Sequence, residues 1–176
     1  MNVFVKPSAN TNNLISLLST VRASRPPKPE ATGVTTREKN IKGRKRQLIV
    51  DTNGFVLRVL VHAADISESE GGIWLLNEHA DAFRSLEILR VDQGYKQMLV
   101  DWVSQYLACT VEVVEKPADQ VGFAVLPKRW VVERTFAWLG RYRQLSKEYD
   151  RRPESTEGWI YLASIDILLK RLSQVM

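Results

Sequence analysis

One stretch of this chain sets a single acid among many bases. Glu133 is the only acidic residue between Gln120 and Lys147. The bases around it are Lys128, Arg129, Arg134, Arg141 and Arg143. Apolar residues recur at helical spacing after Pro127, which predicts an amphipathic helix that carries Glu133 on its polar face. A lone carboxylate on a basic helix face is typical of a metal ligand that faces a phosphate backbone. The alternative is an ordinary salt-bridged surface glutamate.

A second candidate for chemistry is Asp92, which follows the apolar run Leu86–Val91. That run predicts a short strand. Gly94 permits a tight turn beyond the strand, which would leave the Asp92 carboxylate at the edge of a sheet. A helix-capping role ahead of the next helix is compatible with the same position, so both interpretations of Asp92 stay open.

The elements that must position these acids alternate along the chain. Apolar, β-branched runs on either side of Asn53-Gly54 predict a β-hairpin. From there the expected order is strand, strand, helix, strand, helix, strand, helix, helix, which indicates an α/β fold with a mixed sheet. Phe136 and Trp138 fall on or beside the apolar stripe of the third helix, so we expect them in the core.

The first part of the chain differs from the rest. Residues 1–34 are interpreted as a poorly ordered N-terminal segment and linker, and residues 35–176 as one domain. A short apolar patch at Leu14–Val21 suggests a helix. Arg25-Pro-Pro-Lys-Pro29 then predicts a stiff linker.

The net charge of +5 conceals an uneven distribution that favours a polyanionic partner. Two basic segments, residues 37–46 and 128–152, enclose an acidic body, and nucleic acid is the partner that this pattern favours. The cluster Arg44-Lys-Arg46 is interpreted either as a DNA contact or as a solvated strand entrance. Cys109 is the single cysteine, which excludes a disulfide framework. No apolar run approaches the length of a membrane span, so we expect a cytoplasmic protein with no membrane partner.

The run Trp130-Val-Val-Glu-Arg-Thr-Phe-Ala-Trp-Leu-Gly-Arg-Tyr-Arg143 closely resembles the glutamate helix of bacterial insertion-sequence transposases. These are the DDE enzymes, named after an aspartate, aspartate, glutamate triad. Further landmarks in the same order extend the resemblance from about Thr35 to Leu172. They are Lys42-Gly-Arg-Lys-Arg46, Val50-Asp-Thr-Asn-Gly54, Val61-His-Ala-Ala-Asp65, Asp92-Gln-Gly-Tyr95 and Val125-Leu-Pro-Lys-Arg129.

This resemblance implies a ribonuclease-H-like mixed sheet flanked by helices, and DNA strand cleavage and transfer at transposon ends. In the family, three acids hold two Mg²⁺ (or Mn²⁺) ions that neutralise the attacking and leaving oxygens. Asp92 matches the second acid and Glu133 the third, so both are expected to be catalytic metal ligands. The partners implied are double-stranded DNA and further subunits, either copies of this chain or intact transposase. We expect DNA contacts from Lys128, Arg129, Arg134, Arg141 and Arg143.

The first acid of the triad has no match. Relatives carry it in an Asp-Ser motif on the first strand, whereas no Asp precedes Asp51 in this chain. Asp51 itself matches a hairpin position, where a turn-forming role is expected, and the alternative is that Asp51 replaces the missing acid as a metal ligand. The sequence therefore predicts an N-terminally truncated or internally deleted copy that lacks the first strand. It would bind metal weakly and be impaired in cleavage. The alternative is an inactive remnant that binds DNA or transposase subunits.

Overall fold

The computed structural model describes residues 14–23, 43–95, 97–114 and 130–174. Within these residues, strands and helices alternate much as the sequence predicts. The strands are β1 (Leu14–Ala23), β2 (Arg44–Val50), β3 (Val56–Ala63), β4 (Leu86–Asp92) and β5 (Thr110–Val114). The helices are α1 (Glu68–Glu78), α2 (Met98–Tyr106), α3 (Trp130–Leu139) and α4 (Pro153–Ser173). No helix of the described residues is long and apolar enough to cross a membrane.

The five strands form one mixed sheet in the order β3-β2-β1-β4-β5. The hairpin of β2 and β3 is antiparallel, as Asn53-Gly54 predicts. In the centre of the sheet, β1 runs antiparallel to β2 and parallel to β4. This is the placement that a ribonuclease-H-like sheet gives to its first strand.

The prediction of a helix at Leu14–Val21 is wrong, because Leu14–Ala23 forms β1. β1 occupies the place of the first strand, which the sequence predicts to be absent, and part of the 1–34 segment therefore belongs to the sheet. An isolated helix this short is marginal in water. The facing edges of β2 and β4, by contrast, offer backbone donors and acceptors along the whole segment. The remainder of residues 1–34 lies outside the described residues.

Two hydrophobic cores lie on the two faces of this sheet. On one face, Leu48 and Val50 of β2 pack with α3 residues such as Val132 and with Ile160 of α4. On the other face, Ile49 packs with apolar residues of α1, β4 and α2. Because side chains alternate along a strand, the neighbouring residues of β2 point to opposite faces, so α3 and α4 cover one face of the sheet and α1 and α2 cover the other.

The outer edge of β3 is covered by side chains of α4. The Glu157 carboxylate accepts the backbone N–H of Val61 at 2.7 Å, and the Tyr161 hydroxyl accepts that of Val59 at 3.3 Å. Burial raises the pKa of Glu157 above its usual value, and the hydrogen bond from Val61 opposes that effect. An edge strand with satisfied N–H groups is protected from pairing with another chain.

Candidate active site and nucleic-acid interface

Asp92 lies at the end of β4, as the sequence predicts. It is half-buried, and its Oδ1 accepts the backbone N–H of Gly94 at 2.9 Å, which closes a tight turn. A second carboxylate shares this edge of the sheet: a Cβ atom at Gly94 would overlap the Glu68 carboxylate and lie 3.2 Å from Asp92 Oδ1. Sequence reasoning missed Glu68, because only the tertiary fold brings the start of α1 to the end of β4.

Glu133 lies in the first turn of α3, with its side chain exposed. The residues after it hold the helix against the hairpin turn. Thr135 is buried and donates its hydroxyl to Gly54 O at 2.8 Å, and Arg134 Nη2 donates to Asn53 O at 2.7 Å. Gly54 has a φ of +85°, and a Cβ atom there would lie 2.8 Å from Thr135 Oγ1. The Asn-Gly turn therefore serves both the hairpin and the anchoring of the glutamate helix.

Asp51 forms a turn, as expected. Its Oδ1 accepts the backbone N–H groups of Asn53 at 2.9 Å and Phe55 at 2.8 Å. Asp51 follows Val50, which pairs with Leu17 of β1, and Asp92 follows Val91, which pairs with Leu18. Because β2 and β4 run in opposite directions beside β1, the two acids lie on opposite sides of these pairs. The two positions are thus separated by roughly 10 Å along the strands and by two strand spacings of about 4.8 Å across them. A single ion cannot be shared across that separation.

The two predicted metal ligands, Asp92 and Glu133, lie on separate elements, at the end of β4 and in the first turn of α3. Among the described residues, no group of three or more His, Cys, Asp or Glu side chains could hold a metal. Mg²⁺ accepts one or two carboxylates and keeps several waters, so Asp92 and Glu133 could supply the ligands of a single ion. Their roles as catalytic metal ligands remain predictions.

The predicted DNA-binding cations fall into three groups. Arg141 and Arg143 are exposed just beyond α3. The guanidinium of Arg134 stacks on two aromatic rings, with its Cζ 4.3 Å from the centroid of Trp130 and 4.6 Å from that of Trp138. Lys128 and Arg129 lie outside the described residues. The half-buried Trp138 is not part of either core cluster of the described residues, contrary to the prediction, and its ring instead supports Arg134 and Arg171. Phe136 is half-buried and packs against the core from its margin.

The Arg44-Lys-Arg46 cluster stabilises the fold, which was neither of the two interpretations from sequence. Both arginines reach the buried Glu148: Arg44 Nη1 donates to its Oε1 at 2.9 Å, and Arg46 Nη2 to its Oε2 at 3.1 Å. Lys45 Nζ donates to Ile66 O at 2.6 Å. Glu148 lies about a hundred residues away in sequence, so a local charge pattern gives no sign of the pairing.

A known protein family matches the part of the chain that contains the sheet and both candidate acids. The family model described as "Transposase DDE domain" matches residues 19–165. The chain belongs to the DDE transposase family. Its match includes β1 from Ser19 onward, together with Asp92 and Glu133.

One curated relative is the "Putative transposase for insertion sequence element IS402" of Burkholderia cepacia. This transposase domain is 24% identical to it over 135 residues, which cover 70% of this chain and 61% of the relative. The domain thus spans less than two thirds of that relative's length.

The similarity to one viral intasome chain supports the ribonuclease-H-like fold. A chain from the cryo-EM structure of the simian T-cell lymphotropic virus intasome in complex with PP2A regulatory subunit B56 gamma superposes with a TM-score of 0.54. Its sequence identity is 17%, and the match covers 86% of this chain and 47% of that one. A chain from the crystal structure of a pre-cleavage Mos1 transpososome matches with a TM-score of 0.39 at 11% identity, covering 92% and 54%.

Proposed function

We propose that this domain binds transposon-end DNA as a DDE transposase does, and that its strand cleavage is impaired because the first acid is missing. Family membership supports the activity class. The exposed Arg141 and Arg143 beside the glutamate helix support binding to a phosphate backbone. The chemistry would be phosphodiester transfer at DNA ends, with metal held by Asp92 and Glu133.

The observation that carries this proposal is the register of β1. Leu17 pairs with Val50 and Ser19 with Leu48, both of which pack on the face covered by α3 and α4. Opposed residues of an antiparallel pair lie on the same face. Positions 17 and 19 are therefore the places on β1 from which an acid would share a face with α3, and neither is acidic.

Loss of that acid has a specific chemical consequence. Two-metal catalysis needs a ligand between the ions so that both the attacking and the leaving oxygen are neutralised. Two carboxylates on β4 and α3 would hold one Mg²⁺ or Mn²⁺ ion weakly and orient it toward one oxygen only. We therefore expect slight thermal stabilisation by these ions and little cleavage.

A gain-of-function experiment tests the proposal. Supercoiled plasmid carrying matched transposon ends is incubated with Mg²⁺ and either the unmodified chain, Ser19→Asp or Leu17→Asp. We expect nicking to rise in at least one restored variant and to disappear again when Glu133→Gln is added. Adding Glu68→Gln instead would test whether the ion lies between Glu68 and Asp92. Robust nicking by the unmodified chain, abolished by Asp51→Ala, would contradict the proposal.

The alternative role, binding to other transposase subunits, has an observation of its own. The outer face of α4 exposes large apolar residues three and four apart, a spacing that suits helix pairing. They are Leu162, Ile165, Leu169 and Leu172. Light scattering coupled to size exclusion measures the association, and Leu169→Lys should shift the chain toward monomer. A monomeric unmodified chain that fails to retain intact transposase would rule out this role.

A further inference from the structure

A groove lies between the C-terminal end of α3 and the C-terminal half of α4. It has a volume of about 420 Å³, and its walls carry three cations, Arg141, Lys170 and Arg171, beside the rings of Trp138 and Tyr142. Arg141 is one of the predicted DNA contacts, whereas the sequence predicts no role for the two cations of α4. Cations from the segment just beyond α3 and from α4 thus meet on one surface.

Aromatic rings hold the guanidinium of Arg171 in place. Its Cζ lies 4.3 Å from the ring centroid of Trp138 and 4.7 Å from that of Phe55. Arg134 stacks on the same Trp138 ring at 4.6 Å, so two like charges share one indole. Burial and then the charge of Arg171 lower the pKa of Arg134, while Asp51 opposes the shift. An anion nearby would relieve this repulsion.

Hydrogen-bond donors remain available in the groove. Arg171 makes one hydrogen bond to the described part of the chain, from Nη1 to Asn53 O at a long 3.5 Å. The side chain of Arg141 makes none within that same part, whereas its backbone N–H donates to Trp138 O at 3.2 Å. Lys170 pairs with Asp166 at 2.6 Å, and the same Asp166 oxygen accepts the Tyr142 hydroxyl. One carboxylate therefore faces three cations, which leaves the groove positively charged.

We propose that this groove binds backbone phosphates of nucleic acid through Lys170 and Arg171, and so extends the DNA surface of α3 onto α4. The inference rests on the proposed function, because it assumes that DNA lies along α3. From Glu133 to the end of α3 the helix rises by roughly 9 Å, or about three base pairs of duplex. A duplex with its scissile phosphate near Glu133 would thus present later phosphates to the groove. An open groove with fixed guanidinium donors suits a continuous polyanion.

The test measures the binding of fluorescently labelled duplex DNA by anisotropy at several salt concentrations between about 50 and 200 mM. Each phosphate contact contributes about 0.9 to the slope of log affinity against log salt. Arg171→Gln and Lys170→Gln should each reduce the slope by about that amount, and should weaken binding about eightfold at 0.1 M salt. If Arg171→Gln fails to fold, Lys170→Gln still tests the proposal, because Lys170 is exposed.

Arg84→Gln is the matched control, because it removes one exposed cation that follows the short helical turn after α1. It should leave the slope unchanged. If both α4 variants retain the slope of the unmodified chain, the groove inference is overturned while DNA binding by the domain stands. If they and Arg84→Gln reduce it equally, the effect is one of net charge and the inference again fails. If the unmodified chain shows no salt-dependent binding, both the inference and the proposed function fail.

Discussion

Glu148 offers the sharpest test of how this fold is stabilised. The residue is 1% exposed, and its carboxylate lies between the guanidinium groups of Arg44 and Arg46, with Thr156 donating to Oε1 at 2.5 Å. Glu148→Gln keeps the volume of the side chain but removes its charge and replaces one acceptor oxygen with a donor. Removing one partner of a buried ion pair costs about 3–5 kcal/mol, because the other charge is left uncompensated.

The hydrogen bonds that Arg44 and Arg46 keep after the substitution determine how large the loss of stability is within that range. Arg44 still donates to Asp150 O and Arg151 O, and Arg46 to Leu145 O and Lys147 O. These carbonyls solvate the cations in part, so we expect a loss near the lower limit, about 3 kcal/mol.

Urea denaturation at neutral pH measures this loss as a change in midpoint at constant slope. Asp81→Asn is the control, because it breaks an ion pair whose side chains are both more than 80% exposed, and such pairs contribute about 0–1 kcal/mol. A loss below about 1 kcal/mol for Glu148→Gln would refute the reasoning, since surface changes have effects of that size.

Three further changes probe the hairpin turn and the protected edge. Thr135→Val removes the hydroxyl that bonds Gly54 O and should cost about 1–2 kcal/mol in the same denaturation assay, with Thr135→Ser much milder. Gly54→Ala should cost at least about 1 kcal/mol, because alanine is strained at a φ of +85° and its Cβ would crowd Thr135; an unchanged midpoint would contradict this. Glu157 has a raised pKa in the folded state, so the native state binds its proton more tightly and stability should fall as pH rises above the usual carboxyl range. Glu157→Gln should abolish that fall while still accepting the Val61 N–H, and an unaltered pH profile would show that Glu157 does not cause it.

Much of the fold can be predicted from short sequence motifs that specify turns, helix caps and strand ends. Asn53-Gly54 predicts the hairpin because both residues tolerate the backbone conformations that the turn requires. Ser67 belongs to the residue types that cap helices, and its hydroxyl accepts the backbone N–H of Glu70 at 3.1 Å at the start of α1. The position of Asp92 at the end of β4 follows from the apolar run before it and the glycine after it. Each of these features depends on neighbours within a few residues.

The identity of β1 could not be predicted in this way. Leu14–Ala23 contains leucine, which favours helices, and β-branched residues, which favour strands, so local propensity does not decide between the two. The decision comes from β2 and β4, whose facing edges need a partner. Resemblance also misled, because the absent aspartate was interpreted as an absent strand. The pairing of β1 in the sheet shows that the first strand is present, although its residues include no acid.

The basic segments show why charge patterns alone identify a DNA surface poorly. In sequence, Arg44-Lys-Arg46 and the cations around α3 look equally suited to phosphate. In the structure, Arg44 and Arg46 of the first cluster both pair with one buried acid, Glu148, whereas the groove cations Arg141 and Arg171 form no ion pair with another described residue. The difference depends on which acid the fold brings to each cluster, and Glu148 itself lies inside the second basic segment. A cation of this chain is therefore a candidate for DNA contact only after its carboxylate partners have been placed, and by that criterion Arg171 is a stronger candidate than Arg44 or Arg46.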